Sequence, residues 1–312
     1  MNAKIVLRRT DGAASSEETR LLSFHFVKEA YTPYTTLTAV IDTEEEDFLS
    51  VCEAQFYVND KLIHHGLIDS IEKNETEKGR TVTLASRGFT SQLCQNQLQP
   101  GLIENISINS LMDSYYALPF VTHEDSSDST GYIYVKNSST MWDGVVNLTY
   151  KQNGIYPYIQ GTNCVRTTAE QNPHTFAFDD SQLISRGSAG SFRRMISDFH
   201  MADISGNYGN CDLTDSEAVN RFIVRNRYIE LDRQFLYNPQ QALEYRDKFA
   251  KRASQRYFCR YSGYSGEDLN DLVSFGELSS KRICKIDIAG DYSGIFTELS
   301  VYYDGFYVNG TL

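Results

Sequence analysis

Apolar and polar residues alternate between positions 53 and 93 in three runs, Glu53–Val58, Leu62–Glu72 and Arg80–Arg87. Alternation is the strand period, because successive side chains on a strand point to opposite faces. Asn59-Asp60 separates the first two runs, and short polar side chains of this kind tolerate turn geometry. The polar stretch Asn74–Gly79 separates the next two and ends on a glycine. The pattern predicts an antiparallel three-strand meander that closes on Arg87-Gly88 and then on Leu93. Lys4–Arg9, Leu21–Val27 and Thr36–Ile41 alternate in the same way, with the polar loop Thr10–Thr19 between the first two. Residues 1–98 therefore read as an all-β unit.

The pattern changes over residues 99–168. Ile108–Ala117 predicts a short helix that stops before Pro119, followed by a Ser- and Asp-rich surface loop, His123–Thr130. Gly131–Val135 predicts a strand. Thr140 and Asp143 have the spacing of a capping box, with Asp in place of the usual Glu or Gln. Trp142, Val145, Val146, Thr149 and Tyr150 then share one helical face. Asn153-Gly154 supplies the stop, because glycine accepts the left-handed geometry of a helix end. Ile155–Gln160 and Cys164–Thr168 predict a hairpin around Gly161. The segment reads as a small α/β module.

Residues 169–312 return to β with helical interruptions. Phe192, Met195, Ile196 and Phe199 are spaced as one face of a helix over Ser191–Phe199. Asn220–Leu231 predicts a strand with arginines at near-alternate positions. Asn238 reads as an N-cap with Pro239 at the first helical position, where its missing N–H costs nothing. That helix is expected to run to about Tyr257 and to bury Ala242, Leu243, Phe249, Ala250 and Ala253. Phe258–Ser262, Lys281–Ala289 and Phe296–Tyr303 predict closing strands, with a turn at Gly290-Asp291. The fold class is mainly β, of the α+β type, in a chain of 312 residues that has room for two or three domains.

Composition adds little that is unusual, apart from 21 tyrosines and 17 phenylalanines, which favour strands. No apolar run approaches the roughly 18 residues of a membrane span. The N-terminus has charges after a short apolar run and no cleavage site, so no secretory signal is expected and bacterial cytoplasmic synthesis is. The sequons at Asn74, Asn105, Asn137, Asn147 and Asn309 are then coincidental. Six scattered cysteines without a CxxC pair read as buried free thiols. The net charge of −12 argues against a nucleic-acid grip, which needs a basic footprint.

The chemistry-bearing residues form no recognisable site. His25, His64, His65, His123, His174 and His200 lack chelating spacing, and His64 and His65 point to opposite faces of one strand. The acidic run Glu44–Asp47 lacks the spaced ligands and glycine of a calcium loop. Gly187–Gly190 could cradle an anion ahead of a helix, but no lysine or metal-binding hydroxyl follows, so a flexible lead-in to a helix is the plainer reading. Asp179-Asp180 is better placed for a turn than for a glycosidase pair. Arg193, Arg194, Arg221, Arg225, Arg227, Arg246, Lys248, Lys251, Arg252 and Arg256 cluster in the last third. They suit either a salt-laced helix face or acidic surfaces of neighbouring subunits.

The order of parts resembles the baseplate hub proteins of contractile phage tails and related injection systems, the late-control-protein-D family. The meander carries Ile63, Gly66, Ile68, Ile71, Val82, Leu84, Arg87 and Gly88 where that family has an apolar residue, a glycine, an isoleucine-rich strand and Arg-Gly. Ser139, Trp142, Asp143, Gly154 and Gly161 stand where hub proteins begin and end the helix and hairpin of their small module. The helix starting at Pro239 and the final hairpin match the family's carboxy-terminal half. Relatives often carry a longer tail or a Gly-Asp start to the last hairpin, so contacts made by such a tail are not carried over.

The resemblance implies two tail-tube-like β-barrels, at 1–98 and 169–312, the second able to exchange strands with the first, and a spacer at 99–168. It implies a homotrimeric ring joining a hexameric tail tube to a trimeric spike, with tube, spike and baseplate proteins as partners. DNA would pass through the lumen without specific binding. The place of action would be a virion tail or a phage-tail-like particle such as a bacteriocin. No catalytic residue, cofactor or metal is implied, and Gly66, Ile68, Arg87, Gly88, Trp142, Asp143, Gly154 and Pro239 would be structural. The rival readings are a tail-associated hydrolase of cell-wall glycan, or a glycan-binding module using exposed tyrosines.

Overall fold

A computed structural model describes residues 2–14, 20–42, 49–77, 79–115, 118–235, 237–303 and 305–306. The Glu44–Asp47 run and Asn309 lie outside the described residues, as do the last two residues of the helix expected over Ile108–Ala117. Strand outweighs helix, 49% to 17%, as the alternation predicts.

One ten-stranded sheet organises the molecule. Its first six strands are β1 (Ala3–Arg9), β2 (Arg20–Glu29), β3 (Thr36–Asp42), β4 (Val51–Val58), β5 (Lys61–Thr76) and β6 (Gly79–Gly88). They lie in the order β1-β4-β5-β6-β3-β2, so the predicted meander β4-β5-β6 is present and antiparallel. Asn59 and Asp60 turn it with φ of 50° and 62°. The sheet continues from β2 into Lys285–Asp291, Gly294–Tyr302, Gln255–Ser262 and Leu183–Gly190. Alternate residues of the inner strands meet the same core, whereas the edge strand Leu183–Gly190 is mostly exposed. Leu7, Phe56, Leu37, Ile41 and Leu84 from the first half and Ile288, Leu299 and Val301 from the second are at most 1% exposed.

The small module packs beside this sheet. Gly101–Ser107 pairs with Ser129–Val135, and the helix Met141–Asn153 lies against them. The capping box is present: Thr140 Oγ1 accepts from Asp143 N at 3.1 Å, and Asp143 Oδ2 accepts from Thr140 N at 2.8 Å. Gly154 closes the helix at φ 66°. Tyr158–Gln160 and Cys164–Arg166 form the hairpin around Gly161. The other helix expected here is Ile108–Tyr115.

Five expectations in the last third differ from the structure. Ser191–Phe199 is not a helix: Arg225 Nη1 donates to the carbonyls of Arg193 (2.5 Å) and Met195 (2.8 Å), occupying acceptors a helix would use, and Asp198–Met201 is a strand. Gly187–Gly190 belongs to the strand Leu183–Gly190 rather than to a loop ahead of a helix. The strand expected over Asn220–Leu231 is confined to Asn226–Ile229, because Asp215 caps a short helix, Ser216–Asn220, through Glu217 N. The helix at Pro239 ends at Lys251 instead of Tyr257. The expected strand Lys281–Ala289 is broken at Ile283-Cys284, where the chain crosses from a three-stranded sheet into the large one.

Candidate functional site

The meander residues converge on one point. Gly66 of β5 pairs with Gly88 of β6. A Cβ at Gly66 would lie 2.2 Å from the carbonyl oxygen of Arg87, and one at Gly88 would lie 2.8 Å from Thr35 Oγ1. Both positions therefore exclude a side chain. Beneath them runs a buried polar chain: Thr35 Oγ1 to His64 Nδ1 at 2.7 Å, and His64 Nε2 to Ser86 Oγ at 2.8 Å. Burial lowers the His64 pKa to about 3, so the ring is neutral and the two hydroxyls supply one donor and one acceptor. A register shift between Ile68 and Ser70 sets Asp69 out of the ladder. Its carboxylate receives both Arg87 Nε (2.6 Å) and Nη2 (2.8 Å), a two-point pair that clamps β5 to β6. Ile68 packs against the core from the same strand.

The remaining family-pattern residues lie elsewhere. Trp142 donates to Tyr156 Oη at 3.3 Å, and Tyr156 stacks on Phe249 of the helix Pro239–Lys251 with ring centroids 6.0 Å apart. Asp143 and Gly154 hold the two ends of the module helix. Pro239 opens the other helix behind Asn238, whose Oδ1 accepts from Gln241 N at 3.1 Å. None of these groups lines a reaction cleft with the meander residues.

The strongest polar junction is one that strand and helix periodicity do not signal. Buried Lys28 of β2 donates to Gly161 O of the module hairpin at 2.6 Å and pairs directly with Asp268. Asp268 Oδ2 also accepts from Gly161 N at 2.6 Å. Next to it, Lys61 of β5 donates to Gly266 O at 2.5 Å. Glu267, 1% exposed, accepts from Tyr261 Oη and from Ser265 N. Burial raises its pKa against the lowering effect of those donors. The loop at 263–271 thus ties the N-terminal strands, the module and the C-terminal strands together. The chemistry is that of a fastener, since every charged group faces a fixed protein partner. Among the described residues no group of three or more His, Cys, Asp or Glu side chains is placed to hold a metal ion.

The basic residues of the last third are divided between inward and outward roles. Arg246 reaches Asp232 at 2.9 Å, and Lys251 reaches Asp247 at 2.8 Å and Asp215 at 3.4 Å. Arg193, Arg194, Arg221 and Arg227 are exposed. All six cysteines are free, with Cys259 and Cys284 buried and the others half-buried. No described helix is long and apolar enough to cross a membrane.

No protein-family model and no curated protein matches the chain. In fold it is similar to the tail protein from Neisseria meningitidis, with a TM-score of 0.74 and 11% identity over 98% of each chain. It is similar also to the 43 kDa tail protein of prophage MuSo2 from Shewanella oneidensis, with a TM-score of 0.70 and 16% identity over 96% of this chain and 98% of that one. A third neighbour is an Escherichia coli type VI secretion component described as similar to the T4 tail proteins gp27 and gp5. Its TM-score is 0.56 at 9% identity, over the whole of this chain and 80% of that one. At such identities the likeness is one of fold.

Proposed function

We propose that this chain is a structural component of a contractile tail or related injection machine, and within it the baseplate hub. The carrying observation is that the likeness to the Neisseria tail protein runs over 98% of both chains, so the whole architecture is shared rather than one sheet. In this reading the strands of residues 1–98 and 169–312 form two tube-like barrels spaced by the module at 99–168. The continuous ten-stranded sheet supports strand exchange between them. Three copies then offer six barrel positions to a hexameric tube and three-fold symmetry to a spike. Such symmetry matching needs extended interfaces rather than an active site. The polar clusters suit that role, because they fasten one part of the chain to another.

Charge fits the same account. At −12 per chain, three copies carry −36. A channel of the same sign as DNA repels phosphate and avoids adhesive passage. Reconstruction of the assembled particle by electron cryomicroscopy is expected to find three copies between tube and spike around a lumen lined mainly by carboxylates. A neutral or basic lumen overturns the charge argument, and copies located away from the tube–spike junction overturn the hub assignment. Release of muropeptides from peptidoglycan by the purified chain would favour the hydrolase reading instead.

A further inference from the structure

One cavity of the molecule is lined by buried polar groups that the protein itself leaves unpaired. It has a volume of about 240 Å³ and lies where the module helix Met141–Asn153 meets the chain around Asp232 and the helix Pro239–Lys251. Asn147 of the first helix and Arg246 of the second both line it. Asn147 is 5% exposed. Among the described residues neither Asn147 Oδ1 nor Arg246 Nε has a hydrogen-bond partner. A buried acceptor or donor left without a partner costs stability, so few are found in folded proteins, and each asks for an explanation. The open clefts at Arg186 and at Asp291 are lined by no such group among the described residues.

The ionic groups of the cavity are already matched. Arg246 Nη2 donates to Asp232 at 2.9 Å, and Lys136 Nζ lies 3.7 Å from the same carboxylate. Asp143, the other carboxylate of the lining, accepts from Thr140 N and Oγ1, each at 2.8 Å. Two cations thus face two anions, and no net charge is left for an ionic ligand. What remains is a need for hydrogen bonds: an amide oxygen without a donor and an N–H without an acceptor. A hydroxyl supplies both.

A ligand with several hydroxyls can serve the two unpaired groups and also reach Lys136, whose side chain is 45% exposed. Phe235 and Val146, both buried, give the cavity an apolar side against which the C–H face of a ring can lie. The volume is below the roughly 300–1,000 Å³ of drug-sized ligand sites, so the cavity takes one ring rather than a chain. We propose that it binds a single pyranose, either a free monosaccharide or the end unit of a glycan. Asn147 and Arg246 meet the hydroxyls, and Phe235 meets the ring. The site is separate from the hub reading: it does not need the chain to be assembled, and its failure leaves that reading untouched.

Saturation-transfer NMR on the full chain tests this with glucose, galactose, mannose and N-acetylglucosamine, each free and as its methyl glycoside. At least one pyranose is expected to bind with a Kd of about a millimolar. Equal binding of the methyl glycoside identifies a glycan end, and binding of the free sugar alone identifies a monosaccharide; both support the site. Asn147→Leu, close to the parent in shape, is expected to weaken binding about tenfold or more, because the sugar loses its acceptor. Its thermal midpoint should stay level or rise, since an acceptor without a partner adds nothing to the fold. Lys136→Met should weaken binding several-fold at an unchanged midpoint. No signal from any of the sugars overturns the proposal and leaves a cavity filled by water. Equal binding by Asn147→Leu and the parent overturns it too, since the sugar then sits elsewhere. A lowered midpoint in Asn147→Leu overturns the premise that the amide is kept for a ligand.

Discussion

At the scale of single residues, the meander shows how a glycine and a histidine can be fixed by their neighbours rather than by chemistry. The Cβ of alanine at Gly66 meets backbone, not a flexible side chain, at 2.2 Å. Gly66→Ala is expected to cost about 1–3 kcal/mol, as overpacking does. Gly131→Ala, where nothing lies within 4 Å of the added carbon, should stay within about 0.5 kcal/mol of the parent. Urea denaturation of the two variants checks both, and equal costs would contradict the close-approach argument.

His64 gives a pH signature. Its pKa is about 3 in the fold, against about 6.5 in an unfolded chain. Below the unfolded value, the unfolded chain takes up a proton that the folded chain refuses. The stability linked to His64 is therefore complete only well above pH 6.5 and declines as pH falls toward 3, ultimately by on the order of 5 kcal/mol. Glu267 works the other way: its raised pKa means stability is lost as pH rises from the unfolded value toward the folded one. The two overlap in mildly acid solution, so the comparison must be between proteins. Between pH 6 and 5 the parent should lose about 1 kcal/mol more than His64→Gln. Parallel profiles would show that His64 does not titrate as its burial requires.

At the scale of elements, periodicity located those whose partners are close in sequence. The first six strands, the capped module helix and the start at Pro239 all carry local signals that the tertiary structure keeps. The failures are places where a distant group takes over a backbone acceptor or where a stop signal is absent. Arg225 takes the carbonyls of Arg193 and Met195 from a segment whose apolar spacing is helical. The long helix stops short of Tyr257 at a turn over Lys251–Ser254, and the left-handed residue of that turn is Ala253, at φ 61°, and not a glycine that would mark it in the sequence. Ala253→Gly should therefore stabilise the protein by about 1 kcal/mol, reversing the usual penalty for glycine. A loss of stability on thermal unfolding would contradict that. The junction at Lys28, Gly161 and Asp268 was illegible for a related reason: its members lie 133 and 107 residues apart. A buried lysine in an alternating strand gives no local sign of its partner.

At the scale of the whole molecule, the mainly β character was legible, and the fold is similar to that of tail proteins over nearly the whole chain. The same sheet takes strands from both ends of the chain. Aromatic contacts bind the pieces further: Tyr31 near the N-terminal strands stacks on Tyr302 at 5.9 Å and meets Tyr156 of the module at 5.2 Å. What no periodicity reveals is which apolar residues stay on the surface: Phe222 is 93% exposed and leaves no repeating pattern.

The central claim is assembly, and native mass with and without the neighbouring spike protein tests it most directly. The hub account predicts a species of three times 35.5 kDa, formed alone or on addition of the spike. A chain that remains at 35.5 kDa in the presence of its spike would contradict it.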